Sequence, residues 1–207
     1  MTESNESATE NEAEWPVALR GVTEAVVATL GPNGLWNFAA LGLHAGDPVT
    51  ARTWGATRTR RNFREEGEGV VQFLADPVVF AESALSILER SSSIHPAADA
   101  WVRVAVERVD GGESGGTSWE EWELTPTESR VETERVPTTN RGYGAVIEAT
   151  VAASRIDVDT YDTDELRDRL DYFSAVVDTC GGEREREAMR MVRDLTAWDG
   201  SRDEADE

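Results

Sequence analysis

The segment of this chain best suited to chemistry is residues 53–62, with the sequence TWGATRTRRN. Its pattern predicts the end of a strand, a loop of small residues and a helix that begins near Arg58. The first turn of a helix presents unpaired backbone N–H groups and the positive end of the helix dipole. These groups can bind an anion, and a phosphate site can be completed by nearby side chains: Thr57, Thr59 and Arg58, Arg60 or Arg61.

The same residues also fit an ordinary helix start. In that interpretation Thr57 is a simple N-cap and the arginines pair with Glu65 and Glu66. Three arginines within four positions, 58–61, are notable in a chain of net charge −21. The pattern alone leaves both interpretations open.

Two further segments have the composition of a ligand site. The small residues of Asn37-Phe38-Ala39-Ala40-Leu41-Gly42 would let a flat ligand lie against a strand, although a central barrel strand beneath a helix has the same composition. Asn140 and Arg141 precede a helical stretch. They are either a helix cap and a surface charge, or two side chains that reach a pocket between the two parts of the chain.

Several other kinds of site are disfavoured. His44 lies at a turn and His95 in a serine-rich loop, so a histidine metal site is not expected. Cys180 falls on the apolar face of a predicted helix, which indicates a core residue rather than a thiolate nucleophile. Carboxylate pairs occur throughout the chain and none is diagnostic of acid–base catalysis. We therefore assign no catalytic residue.

Composition limits the protein class. The 207 residues include 41 acidic residues and 20 arginines but no lysine, and 39% are hydrophobic, enough for a core. No run is long enough to span a membrane, and the acidity disfavours a duplex nucleic-acid binder. Dispersed carboxylates and the absence of lysine predict a cytoplasmic protein of an organism that accumulates salt; an acidic protein with a cationic partner is the alternative.

The elements that must position these residues follow from periodicity and turn signals. The N-terminal part predicts mainly strands, over residues 22–30, 35–43, 49–54, 69–75, 101–109, 119–125 and 130–136, with helices over 58–66 and 78–88 and a flexible glycine loop over 111–116. The C-terminal part predicts helices over 144–155, 162–180 and 183–198. We expect a barrel domain at 15–137, a helical subdomain at 138–200, and disordered acidic tails at 1–14 and 201–207.

Taken in order, the blocks NFAALG, WGATRTRRN, GVVQFLADP and NRGYGAVIEATVAASR, followed by a helical hairpin around Gly181-Gly182, resemble one family across nearly the whole chain. They are similar to the archaeal "domain of unknown function 447" proteins of the FMN-binding split-barrel superfamily, here of haloarchaeal type. The resemblance implies a six-stranded split β-barrel, in the α+β or mainly β class, with a C-terminal helical subdomain. It also implies a homodimer that holds FMN near the subunit interface.

Matched position by position, the resemblance implies the cofactor contacts. Thr57, Thr59 and Asn62 fall on the segment that grips the FMN phosphate, with Arg58, Arg60 and Arg61 as supplements. The strand along the isoalloxazine corresponds to Asn37, Ala39, Ala40, Leu41 and Gly42, and the family's Asn-Arg step to Asn140 and Arg141. The chain departs from the family at Gln72, where Asn is typical and a hydrogen bond to the flavin is implied, and at Ala56, where Ser is typical.

Three functions remain open at this stage. An FMN-dependent oxidoreductase, with a nicotinamide or another small redox molecule as partner, is the first. A non-catalytic flavin store or electron relay is the second, and a split-barrel interaction module without flavin is the third. Colour of the purified protein separates the third from the others, and bleaching by NADH or NADPH separates the first two.

Overall fold

A ring of antiparallel strands dominates the computed structural model, which describes residues 13–196 and 198. The strands are β1 (Val22–Leu30), β2 (Trp36–His44), β3 (Val49–Trp54), β4 (Glu68–Phe73), β5 (Leu88–Arg90), β6 (Ala100–Ser114) and β7 (Thr117–Val131). Six of them follow one another in the order β1-β4-β6-β7-β3-β2, and pairing of β1 with β2 closes the ring into a barrel. The seventh, β5, adds to β2 outside the ring.

Alternation along the strands separates two apolar layers. Inward-facing residues such as Ala25, Val27 and Leu41 join Trp122 and Leu124 in the barrel interior. Their neighbours Val26, Ala28 and Phe38 face outward and pack under a helix. Both faces of β1 are therefore covered, which explains its near-continuous apolar sequence.

The residues that the structure describes also form five helices: α1 (Arg58–Glu66), α2 (Pro77–Leu85), α3 (Arg141–Ala153), α4 (Thr163–Cys180) and α5 (Glu183–Leu195). The side chain of Phe63 brings α1 against the barrel interior, with its ring centroid 5.3 Å from that of Trp122. Helix α2 is shared, because Phe80 packs on the barrel while Val78 and Ala81 join the core of α3, α4 and α5. In the described part of the chain, no helix is long and apolar enough to cross a membrane.

The barrel class and most predicted elements are confirmed, but four details differ. Helix α2 ends at Leu85 rather than at residue 88, because Ser86 caps it and the buried Leu88 starts β5, which pattern analysis missed. The glycine loop at 111–116 is mostly strand, with a turn at Gly115-Gly116, because the Trp119 ring covers Gly112. No strand spans 130–136; β7 ends at Val131, and residues 133–140 have no regular structure.

The fourth difference concerns Cys180, which is half-buried at the end of α4 and does not join the core. The helix face predicted beside it is otherwise confirmed, since Leu166, Leu170 and Val177 are buried. Residues 1–12 of the predicted N-terminal tail, and all of 201–207, lie outside the described residues.

Candidate functional site

The start of α1 has the geometry of an anion site. Gly55, with φ +66°, turns the chain out of β3, and Thr57 is the N-cap, its Oγ1 accepting from the N–H of Arg60 at 3.2 Å. The first backbone bond of the helix runs from the N–H of Arg61 to the carbonyl of Thr57, so the N–H groups of Arg58 and Thr59 precede the helical ladder. Thr57 is exposed, which leaves this end of the helix open to a ligand.

Asn62 and Thr59 lie on the buried side of the same helix. Asn62 Nδ2 donates to Thr29 Oγ1 at 3.0 Å, while its Oδ1 accepts from Arg61 Nη2 at 3.1 Å. Its side chain is fully buried, so Asn62 fixes α1 to β1 and orients Arg61. Thr59 is 5% exposed and sits beneath the first turn. The predicted phosphate segment therefore has an exposed part at Thr57 and a buried part at Thr59 and Asn62.

The arginines of α1 are engaged to different degrees. Arg58 Nη1 is 2.6 Å from Glu89 Oε1 of β5, which ties the first turn to the barrel edge. Arg61 is 4.0 Å from Glu65 and 47% exposed, so it is the more available of the two for a ligand. Sequence reasoning anticipated the weak Arg61–Glu65 pair but missed Glu89, because that partner lies 31 residues away.

Arg60 is committed to a buried network on β7. Its Nη1 donates to the carbonyl of Gly55 at 2.9 Å and to Ser118 Oγ at 2.8 Å, and its Nε lies 2.9 Å from Glu120 Oε2. The carboxylate of Glu120 is 1% exposed and is also paired with Arg64 and Arg108. The hydrogen bond from Arg64, reinforced by Arg60, lowers the pKa of Glu120 to about 2 despite its burial.

The ion pairs around α1 carry an excess of positive charge. The guanidinium groups of Arg58, Arg60, Arg61 and Arg64 face the carboxylates of Glu89, Glu65 and Glu120. This local balance contrasts with the chain as a whole, whose net charge is −21. An anion at the first turn is therefore favoured by both the helix dipole and the surrounding side chains.

We expect the stabilising effect of Glu120 to depend on pH. Its lowered pKa means that the stabilisation is fully present above the ordinary pKa of 4.5 and is lost as the pH falls toward about 2. Glu120→Gln should lower the free energy of unfolding at neutral pH by about 1–3 kcal/mol. Urea titrations should show this difference shrinking below pH 4.5; a difference that does not change with pH would contradict the assignment.

The strand predicted to lie along a flat ligand is β2, and its residues face two ways. Ala39 and Leu41 pack in the barrel interior, while Ala40 packs against the outer apolar layer. Asn37 is 5% exposed and pairs with Thr29 on one side and Glu89 on the other, near α1. Gly42 is half-buried opposite Glu24, at the far end of the strand. Asn37 is thus the member of this set whose strand partners contact α1.

Gln72 is fully buried and uses its amide within the protein. Its Nε2 donates to the carbonyl of Ser93 at 3.1 Å and its Oε1 accepts from the N–H of His95 at 2.6 Å. Gln72 therefore holds the loop after β5 and presents no surface to a ligand. Burial, followed by the charge of Arg90, lowers the pKa of His95, whose Nε2 has no hydrogen-bond partner among the described residues.

Asn140 and Arg141 lie away from α1 within one chain. Asn140 caps α3 by accepting from the N–H of Gly142 at 2.7 Å, and Arg141 is exposed beside a shallow groove with Tyr172 and Phe173. Tyr143 donates to the carbonyl of Leu74, just beyond β4, at 3.3 Å. The β1–β4 register places Leu74 level with position 24 of β1, whereas α1 is attached at position 29. Five strand residues separate these levels by about 17 Å.

Glu120 and Ser118 are site residues that sequence reasoning did not identify. One signal was present: Glu120 precedes Trp122 and Leu124 at strand spacing, which puts a carboxylate on an apolar face. A buried acid at such a position requires cationic partners. The arginine-rich helix 58–66 offers them, but only the β3–β7 pairing brings the two segments together. Among the described residues, no cluster of His, Cys, Asp and Glu could hold a metal ion.

Comparison with known proteins supports the fold. Family models described as "Protein of unknown function (DUF447) N-terminal domain" and "Protein of unknown function (DUF447)" match residues 23–133 and 140–194. An FMN-bound DUF447 protein from Methanosarcina mazei is 22% identical, with a TM-score of 0.73 over 86% of this chain and 96% of that one.

A more distant likeness is to flavoredoxin from Methanosarcina acetivorans, 11% identical, with a TM-score of 0.39 over 60% of this chain and 79% of that one. At identities this low, a structural match shows only a shared fold. The match to the M. mazei structure, with a TM-score of 0.73, shows that this chain has the split-barrel fold. Because the two family models together match most of the sequence, from residue 23 to residue 194, the chain belongs to the DUF447 family.

Proposed function

We propose that this protein is a flavoprotein that binds FMN with its phosphate at the first turn of α1. The observation that carries the proposal is the N-terminus of α1, where Thr57 is exposed, the N–H groups of Arg58 and Thr59 precede the helical ladder, and several guanidinium groups lie nearby. Support comes from the M. mazei family member, which was crystallised with FMN bound. A phosphate dianion suits this combination of dipole, hydroxyl and guanidinium groups.

The residues present fit the phosphate better than they fit the ring contacts predicted from the sequence. Thr57, the N–H groups of Arg58 and Thr59, and the side chain of Arg61 would hold the phosphate, with Asn62 as their support. Ala56 supplies no hydroxyl but leaves the backbone donors in place. Gln72 is excluded by its burial, so the ring is held by other groups, of which Asn37 is the nearest candidate on β2.

We further propose that the protein is an oxidoreductase. Bound FMN supplies the electron chemistry, and the polypeptide supplies position and electrostatics. This division of roles requires no acid, base or nucleophile from the protein. A reduced nicotinamide is the proposed electron donor.

We also propose that the protein is a homodimer in a salt-rich cytoplasm. The segment that carries Asn140 and Arg141 reaches the barrel through Tyr143, about 17 Å along β1 from α1. A second copy could bring its own Asn140 and Arg141 to the FMN at α1, so use of the family's Asn-Arg step would favour a dimer. The surplus of acidic residues and the absence of lysine support a high-salt environment. Sedimentation in concentrated KCl tests the oligomeric state.

The central experiment is the visible absorption spectrum of the protein, purified in concentrated KCl, before and after addition of FMN. We expect a bound-flavin spectrum and tighter binding of FMN than of riboflavin, which lacks the phosphate. Bleaching by NADH or NADPH under anaerobic conditions would support the oxidoreductase. A protein that ignores both flavins would reject the proposal, and one that binds FMN but resists both nicotinamides would indicate a store or relay.

The double variant Thr57→Ala, Thr59→Ala tests the phosphate assignment. This double variant should raise the dissociation constant for FMN by roughly 10- to 100-fold, because a hydrogen bond from Thr57 to a charged phosphate contributes about 1.5–3 kcal/mol and Thr59 supports the first turn from beneath. Loss of the N-cap should also destabilise α1 by about 1 kcal/mol. Riboflavin affinity is the internal control and should not change. If FMN affinity is equally unaffected, the phosphate does not bind at Thr57 and Thr59.

A further inference from the structure

We propose that Glu120 is a positioning residue, which sets the shape of the loop before α1 by holding Arg60 against the carbonyl of Gly55. The inference rests on the proposed function, because its consequence for a ligand is the affinity of this loop for the FMN phosphate. Glu120 lies on β7, in an element distant in sequence from the loop, and it would touch no part of the ligand. Its effect is transmitted through one guanidinium group.

The contacts form a continuous chain from the carboxylate to the loop. Glu120 Oε2 is 2.9 Å from Arg60 Nε, and Arg60 Nη1 is 2.9 Å from the Gly55 carbonyl. The N–H of Gly55 in turn donates to the carbonyl of Ser118 at 2.7 Å, and Ser118 Oγ accepts from Arg60 at 2.8 Å. Both polar backbone groups of Gly55 are therefore fixed by β7 and by the arginine that Glu120 holds.

Burial makes this arrangement specific. Glu120 is 1% exposed and the Arg60 side chain 14%, whereas Arg64 and Arg108 are 54% and 53% exposed. If Glu120 is removed, water cannot easily solvate the guanidinium of Arg60 in its place, and a buried charge without its partner is unfavourable. The two exposed arginines can regain water if Glu120 is removed, and neither has a described contact with the loop. The loop should therefore respond to Glu120 through Arg60.

The test compares Glu120→Gln with Arg108→Gln as the matched control. Arg108→Gln removes a partner of the same carboxylate without touching the 55–57 loop. FMN and riboflavin dissociation constants are measured for the wild type and both variants, together with amide hydrogen exchange in the flavin-free proteins. We expect Glu120→Gln to weaken FMN binding by roughly 10- to 100-fold, by analogy with the loss seen when a residue that orients a metal ligand is removed, and to leave riboflavin binding unchanged.

The exchange measurement separates positioning from general destabilisation and does not depend on flavin. Because Glu120→Gln also lowers global stability, exchange should quicken at residues 55–59 by more than it quickens in α3, and Arg108→Gln should show no such local excess. Equal losses for FMN and riboflavin, or an increase in exchange at 55–59 no larger than that elsewhere in the barrel, would overturn the proposal. If the wild type binds no FMN while the excess exchange at 55–59 remains, the proposed function fails but the positioning role of Glu120 stands.

Discussion

Thr57→Asp should abolish tight FMN binding without disturbing the fold. Aspartate is as good an N-cap as threonine, and its charge is favourable at a helix N-terminus, so α1 should remain intact. The same carboxylate would lie beside the proposed phosphate. Two unit charges about 5 Å apart repel by about 3 kcal/mol at an effective dielectric constant of about 20, which weakens binding roughly 100-fold. Flavin titration and urea unfolding in the same buffer measure the two effects.

Thr57→Ser is the matched control for this variant. It keeps both the hydroxyl and the cap, so FMN affinity should stay close to that of the wild type. Riboflavin has no phosphate and should bind Thr57→Asp about as well as it binds the wild type. If Thr57→Asp binds FMN normally while remaining folded, the phosphate lies elsewhere and the first turn of α1 is only a structural cap.

Gly142→Ala should be strongly destabilising, because α3 passes very close to the link between α4 and α5. A Cβ at position 142 would lie 2.5 Å from Gly181 Cα and 2.9 Å from Gly181 N. These are backbone atoms, so relief requires one helix to move rather than a side chain to rotate. We expect a loss of about 3 kcal/mol, at the upper end of the range for overpacking, and a fall in Tm of about 6–12 °C.

Gly144→Ala is the control, two residues along the same helix. A Cβ there has no neighbouring atom within 4 Å, so the substitution should stabilise the protein by about 0.5–1 kcal/mol through helix propensity alone. The two variants therefore change stability in opposite directions although their chemistry is identical. If both stabilise the protein, the close approach of α3 to Gly181 does not exist in solution.

Local signals in the sequence were sufficient where an element is determined by its own residues. Helix α1 begins at the predicted Thr57 cap and ends at Gly67, which has the left-handed conformation expected of a C′ glycine. Helix α4 begins at Asp162, whose carboxylate accepts from the N–H groups of Asp164 and Glu165. In such cases the capping side chain and the backbone groups that it binds lie within a few residues of each other, so the local sequence is enough to predict where the helix begins or ends.

Features that depend on pairing between distant segments could not be predicted from local sequence patterns. Strand β5 is three residues long and exists because Leu88–Arg90 lie against β2, some 50 residues earlier. Gln72, predicted to contact the flavin, is buried and hydrogen-bonded to the loop at 93–95, a contact that no local pattern indicates. One of the two interpretations of 53–62 paired Arg60 with a glutamate of its own helix, whereas its partner in the structure is Glu120. The family resemblance predicted the barrel correctly. It does not specify which side chains form hydrogen bonds or ion pairs with each other within the protein.

The strand order also has a consequence for the timing of folding. The β1–β2 hairpin is local, but the ring closes only when β3 pairs with β7, so that Trp54 meets Trp119 across 65 residues of chain. Contacts between residues so far apart in the sequence form slowly, because the entropic cost of closing the intervening loop comes before any stabilisation by the contacts. Gly55, Arg60 and Glu120 meet at this junction. The loop that we propose binds the phosphate should therefore be among the last features to assemble, and a nascent chain should acquire flavin affinity only once β7 has been made and docked.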